Sequence, residues 1–190
     1  MKRLIFIALL LVLGVVPFAS AQSCSPYACR LGNCPYTEIL IDDNFTASSC
    51  HAWSYTGGAA ATTGTECNSN NQPLAQLTYL GGFLHTSSVS QTFATLNGSR
   101  DLDNFNFTYT IEIDSMTAGD TVKVTVTDVN TGAKITTDTF TTDTWCNQVS
   151  HVWNNAGWKG HNLQVKWTST LADTATTVNI VGPRFWQQYQ

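Results

Sequence analysis

The stretch Asn104 to Val129, NFNFTYTIEIDSMTAGDTVKVTVTDV, decides the fold. Phe105, Phe107, Tyr109, Ile111 and Ile113 fall on alternate positions, with Asn106, Thr108, Thr110, Glu112 and Asp114 between them. After Ser115–Gly119 the alternation resumes, with Val122, Val124 and Val126 set against Lys123, Thr125 and Thr127. A period of two sends successive side chains to opposite faces, so each run reads as a strand with one buried and one wet face. The short Gly-containing link between them reads as a hairpin.

Working outward, the same punctuation recurs. Strands are expected at Tyr36–Phe45, Ala52–Thr56, Leu74–Leu80, Phe83–Thr86 and Val89–Leu96 before the central pair. Ala133–Thr141, His161–Thr168 and Thr176–Trp186 follow it, and Pro183 marks a kink or an edge in the last. Gly57–Asn71 reads as loop around a short strand, and Asp143–Gly160 as irregular, with a short strand at Val149–Trp153. About ten short strands and no amphipathic helix predict an all-β, two-sheet antiparallel sandwich.

The start of the chain reads differently. Lys2 and Arg3, the apolar run Leu4–Val16 and Ala19-Ser20-Ala21 have the form of a secretory signal peptide over 1–21. A Cys-rich arm is expected over 22–35 and the sandwich over 36–190. The h-region is too short for a lasting membrane span. The formal charge of −4 becomes more negative once Lys2 and Arg3 are removed. That disfavours nucleic acid and anionic membrane as partners, since both are held by clustered Lys and Arg.

Six cysteines remain: Cys24, Cys29, Cys34, Cys50, Cys67 and Cys146. An even count in an exported chain predicts disulfides throughout. The expected pairs are Cys50 with Cys67, and Cys146 with one of the three cysteines in the arm. Zinc at Cys24, Cys29 and Cys34 is the rival reading, with gaps at the edge of ligand spacing.

The strand order resembles that of the galactose-binding-like jelly rolls, a superfamily rich in carbohydrate-binding modules. The resemblance is carried by Ile41-Asp42-Asp43-Asn44-Phe45, an exposed Trp53, Val89-Ser90-Gln91-Thr92-Phe93, the aromatic strand from Phe105 and the Gly119-Asp120 turn. Thr144-Trp145, Leu163–Thr168 and Val178–Phe185 complete it. It implies a jelly-roll sandwich and, as an option, a structural calcium ion, for which Asp42 and Asp43 could offer part of an oxygen shell. Gly182-Pro183 stands where such modules often place a second pair of acids. No other cofactor is expected.

The chemistry-bearing stretch is Thr144–Asn162, TWCNQVSHVWNNAGWKGHN. Sugars present apolar C–H faces rimmed by hydroxyls, so a saccharide site wants a flat aromatic surface beside amide and imidazole groups. Trp145, Trp153 and Trp158 are the stacking candidates; His151, Asn154 and Gln148 are the hydrogen-bonding ones. The competing expectation is that these indoles simply pack the sandwich edge. Glu112 and Asp114 lack the second acid that glycoside hydrolysis requires and read as solvent-facing. No Gly-x-Ser-x-Gly elbow and no phosphate loop occur. The sequence therefore predicts a secreted, non-enzymatic module binding carbohydrate. The alternative is a structural or adhesive extracellular protein assembling through its edges, with a glycoside hydrolase the least favoured.

Overall fold

The computed structural model describes residues 36–40, 45, 52–68, 72–82, 85–97 and 104–188. Residues 1–35, with the expected signal peptide and Cys-rich arm, lie outside them, as do Cys50, Asp42 and Asp43.

The described residues form eleven strands: β1 (Tyr36–Glu38), β2 (Ser54–Thr56), β3 (Gly58–Gly64), β4 (Gln72–Thr78), β5 (His85–Ala94), β6 (Asn104–Asp114), β7 (Thr121–Asp128), β8 (Lys134–Phe140), β9 (Thr144–Asn154), β10 (Asn162–Leu171) and β11 (Thr177–Gln188). Two antiparallel sheets face each other in a jelly-roll sandwich. The first runs β3-β4-β11-β6-β9, with β1 also beside β11; the second runs β2-β5-β10-β7-β8. The only helical turns among the described residues are 3-10 turns at Glu66–Asn68 and Ala156–Trp158.

The alternation in the central stretch is realised as expected. Phe105, Phe107, Tyr109, Ile111 and Ile113 of β6 and Val122, Val124 and Val126 of β7 are all buried between the sheets. Trp167 of β10 is fully buried and lies within 6.5 Å, centroid to centroid, of Phe45, Trp53, Phe107 and Tyr109, tying the sheets together; Trp53, expected to be exposed, is thus buried in the core.

The hairpin expected between β6 and β7 does not form. β6 pairs with β11 and β9 in one sheet, whereas β7 pairs with β10 and β8 in the other. The link is an arch that turns the two apolar faces toward each other. Asp120, 2% exposed, anchors it: its carboxylate accepts hydrogen bonds from Thr117 N (2.9 Å), Thr117 Oγ1 (3.0 Å), Thr176 Oγ1 (2.5 Å) and Ala172 N (2.8 Å). Burial alone would push this carboxyl up, but the donors from Thr176, Thr117 and Ala172 outweigh it and hold it below the usual carboxylate range.

A depressed folded-state value adds stability above the unfolded value of about 4, and that stability is lost as pH falls through the folded value. Asp120→Ala is therefore expected to cost on the order of 2 kcal/mol at pH 7. The gap from the parent should narrow as pH drops below about 4. Urea unfolding at pH 7 and pH 3 checks both; a gap that stays constant would remove the carboxylate from the account.

Other boundaries differ from expectation, two of them substantially. β5 is continuous through Ser87 and Ser88, both buried, rather than broken there. The segment from Asp143, expected to be irregular, contains the eleven-residue edge strand β9.

Candidate functional site

The outer face of the first sheet collects the outward positions of β11, β6 and β9 in three rows. Trp186, Asn106 and Val152 form one; Arg184, Thr108 and Ser150 the next; Val181, Thr110 and Gln148 the third. A break in register between Val181 and Arg184 makes this possible. There three residues of β11 span what two residues of β6 span, with Gly182 at φ 51° and Pro183 unable to donate to the ladder. Without the extra residue Arg184 would turn inward. With it, Phe185 enters the core while Arg184 and Trp186 face out. The Arg184 guanidinium carbon sits 5.9 Å from the Trp186 ring centroid, within cation–π range.

A strap closes the upper end of this face. The 3-10 turn between β3 and β4 carries Cys67, which is bonded to Cys146 of β9 with a Cα–Cα distance of 5.2 Å. In the strand order this link passes over β11 and β6. It replaces the expected Cys50–Cys67 pair and the expected partner of Cys146 in the arm. Spacing along the chain could not reveal it, because the two cysteines become neighbours only when β9 docks on β6. Cys24, Cys29, Cys34 and Cys50 lie outside the described residues.

Beneath the strap lies Glu112, only 3% exposed, which corrects its expected solvent-facing role; Asp114 is exposed as expected. Glu112 Oε2 accepts the Cys67 N–H at 3.1 Å and lies 3.4 Å from both disulfide sulfurs. Burial first, then the charges of Asp114 and Glu66, push its carboxyl above the usual range, against the Cys67 N–H. The three side chains are close enough to share a metal ion, but sulfurs bonded to each other are not thiolate ligands. Opposite Glu112, β9 places two residues, Trp145 and Cys146, where β6 has one. Cys146 takes φ 44° at this bulge, and Trp145 is 67% exposed.

The six residues expected to bind ligand do not converge. Gln148 and Asn154 face outward on β9 and Trp145 stands exposed at its upper end. His151 and Trp153 point the other way, between the sheets, opposite Phe107 and Phe105. Trp153 lies parallel to His151 at 5.3 Å and nearly parallel to Phe185 at 6.1 Å, so neighbours occupy its faces. Trp158 packs on Phe105 at 5.4 Å. His151 Nε2 lies 2.9 Å from Asp138 Oδ2, which also accepts the Tyr109 hydroxyl at 2.7 Å. Burial, then the bond to Asp138 and its charge, push the Tyr109 phenol upward, keeping it a donor. This group knits β9 to β8 along the sandwich edge.

The outward placement of Trp186 and Arg184 is not legible from alternation. Simple alternation through Thr176–Trp186 sends one of Arg184 and Val181 inward, and only a bulge at Gly182-Pro183 brings both out.

No family model and no curated protein matches the sequence. Solved structures do match in fold. One is a family 61 carbohydrate-binding module in complex with β-1,4-galactotriose, at a TM-score of 0.54 and 10% identity, covering 79% of this chain and 99% of that one. Another is a family 16 carbohydrate-binding module, also at 0.54, with 11% identity, covering 77% and 98%. The chain thus has the jelly-roll sandwich fold of carbohydrate-binding modules, and identities this low speak to fold alone.

Proposed function

We propose that this protein is a secreted, non-catalytic carbohydrate-binding module, and that the outer face of the first sheet takes a neutral oligosaccharide. The observation that carries this reading is the pairing of an outward Trp186, braced by Arg184, with an exposed Trp145 at the other end of the face. The two lie near the levels of Asn106 and Glu112 on β6. Six residues of strand separate those levels, roughly 20 Å. Thr108, Thr110, Gln148 and Ser150 fill the interval with hydroxyls and an amide. An extended sugar chain could set its apolar faces on the indoles and its hydroxyls along these rows. An oligosaccharide bound to a module of the same fold is consistent with this. So is a disulfide, which suits an oxidising compartment. Glu112, sealed under the strap, is poorly placed to reach a glycosidic bond, which supports binding without hydrolysis.

Titration calorimetry against soluble oligosaccharides, with a polysaccharide pull-down to find the ligand, tests the site. Trp186→Ala and Trp145→Ala should each weaken binding about tenfold. Trp158→Ala, which alters packing at the sandwich edge, should lower stability and leave affinity nearly unchanged. Unaltered affinity in Trp186→Ala would dismiss this face.

A second reading, adhesion through edges, draws on β9. Its eleven residues at the sheet edge carry no Asp, Glu, Lys or Arg, the usual guards of an open edge. Concentration-dependent oligomers in sedimentation, with no glycan bound, would favour it.

A further inference from the structure

We propose that Cys67–Cys146 is a thiol–disulfide exchange site for a small dithiol, with Glu112 as the acid that protonates whichever cysteine leaves. The inference is independent of sugar binding. It starts from a coincidence of three features. A carboxyl group buried to 3% exposure sits 3.4 Å from both sulfurs of one disulfide, and both cysteines are only partly buried. The bond also spans the strap, so breaking it frees a chain segment rather than merely changing two side chains.

The chemistry follows from charge. An attacking thiolate forms a bond to one sulfur and displaces the other as a thiolate. An ionised Glu112 would stand beside both the arriving and the departing negative charge and oppose each. A protonated Glu112 opposes neither, and its O–H hands its proton to the departing sulfur, leaving a cysteine thiol and a carboxylate. Equal distances to the two sulfurs make the delivery indifferent to which is attacked. The second thiol of the reductant, as its thiolate, then attacks the reductant's first sulfur in the mixed disulfide and displaces the remaining protein cysteine as a thiolate. The dithiol is oxidised to its own disulfide, solvent protonates the second cysteine and returns the proton to Glu112, and Cys67 and Cys146 end as thiols. Two electrons pass from the dithiol to the protein.

The surroundings of Glu112 favour the protonated form. Glu66 on the strap and Asp114 on the same strand are the charged groups that act on it, both acidic, and burial acts in the same direction. Among the described residues the backbone N–H of Cys67 is the one opposing influence. Gln76 and Asn179, paired to each other at 3.0 Å beside it, are neutral. Among the described residues no lysine or arginine offsets the two acids in this balance.

Reduction by dithiothreitol from pH 4 to pH 9 tests the proposal on the full chain. The rate is divided by the dithiothreitol thiolate concentration, and peptide mapping after alkylation isolates Cys67 and Cys146. The parent rate should fall as pH rises through the titration of Glu112. Glu112→Gln, neutral at every pH, should give a flat profile lying about tenfold above the parent at high pH, between the limits for a unit charge in water and near a protein surface. Glu66→Gln should leave the fold intact and move the bend in the profile to lower pH, so the test survives if Glu112→Gln fails to fold. Parallel profiles for the parent and Glu112→Gln would overturn the proposal, as would a bend unmoved by Glu66→Gln.

Discussion

Trp167→Ala is expected to lower the unfolding free energy by about 3–5 kcal/mol, the range for emptying the space of a large buried aromatic. The indole is fully buried, and Trp53, Tyr109, Phe107 and Phe45 surround it, so few mobile groups can collapse into the gap. Two of these neighbours, Phe107 and Tyr109, belong to β6 of the opposite sheet, so the loss falls on the contact that joins the layers. For a domain of this size the melting temperature should drop by on the order of 10 °C. Trp167→Phe should be much milder. Trp167 Nε1 is buried without a hydrogen-bond partner among the described residues, so Phe removes area but breaks no polar contact. Urea unfolding with an unchanged slope would read both variants. Equal losses from Ala and Phe would show that the indole nitrogen contributes after all.

Replacing Cys67 and Cys146 together by Ala is expected to cost about 2–4 kcal/mol. The bond joins residues 79 apart in sequence, for which the chain-entropy effect alone would be about 4.5 kcal/mol, just above that range. Two features pull it back. Cys67 and Cys146 sit at φ 57° and φ 44°, a left-handed conformation that side-chain-bearing residues adopt at some cost. Glu112 loses the cover of the sulfurs and regains water. Far-UV circular dichroism should be unchanged while the urea midpoint falls. A loss below about 1 kcal/mol would mean that the strap holds its place without the bond.

The architecture was legible where one face of a strand is apolar and the other is not. β6, β7, β10 and the first half of β11 announce themselves this way. Which sheet each strand joins was not legible, because a period of two reports inside against outside and says nothing of the neighbour. Alternation alone therefore reads the β6–β7 link as a hairpin, whereas it is an arch. β9 was hidden for a different reason. Its inward positions are Val149, His151 and Trp153, a mixed set, and the bulge at Trp145-Cys146 breaks the rhythm at its start. The proposed site is subject to the same limitation. Counting indoles over Thr144–Asn162 finds the exposed Trp145 together with Trp153 and Trp158, which pack at the sandwich edge. The pair on the outer face, Arg184 and Trp186, is exposed to view only through an extra residue that alternation cannot reveal.

The arch carries a consequence for how the chain assembles. β6 finds its partners in β9 and β11, β5 in β10, and β4 in both its neighbour β3 and the distant β11. The central strands thus wait on segments synthesised much later. Long loops must close before any of that pairing is rewarded, which makes such topologies slow to nucleate. Until β10 and β11 arrive, the aromatic face of β6 lacks its cover from the end of the chain, and transiently exposed apolar surface of this kind favours non-native association.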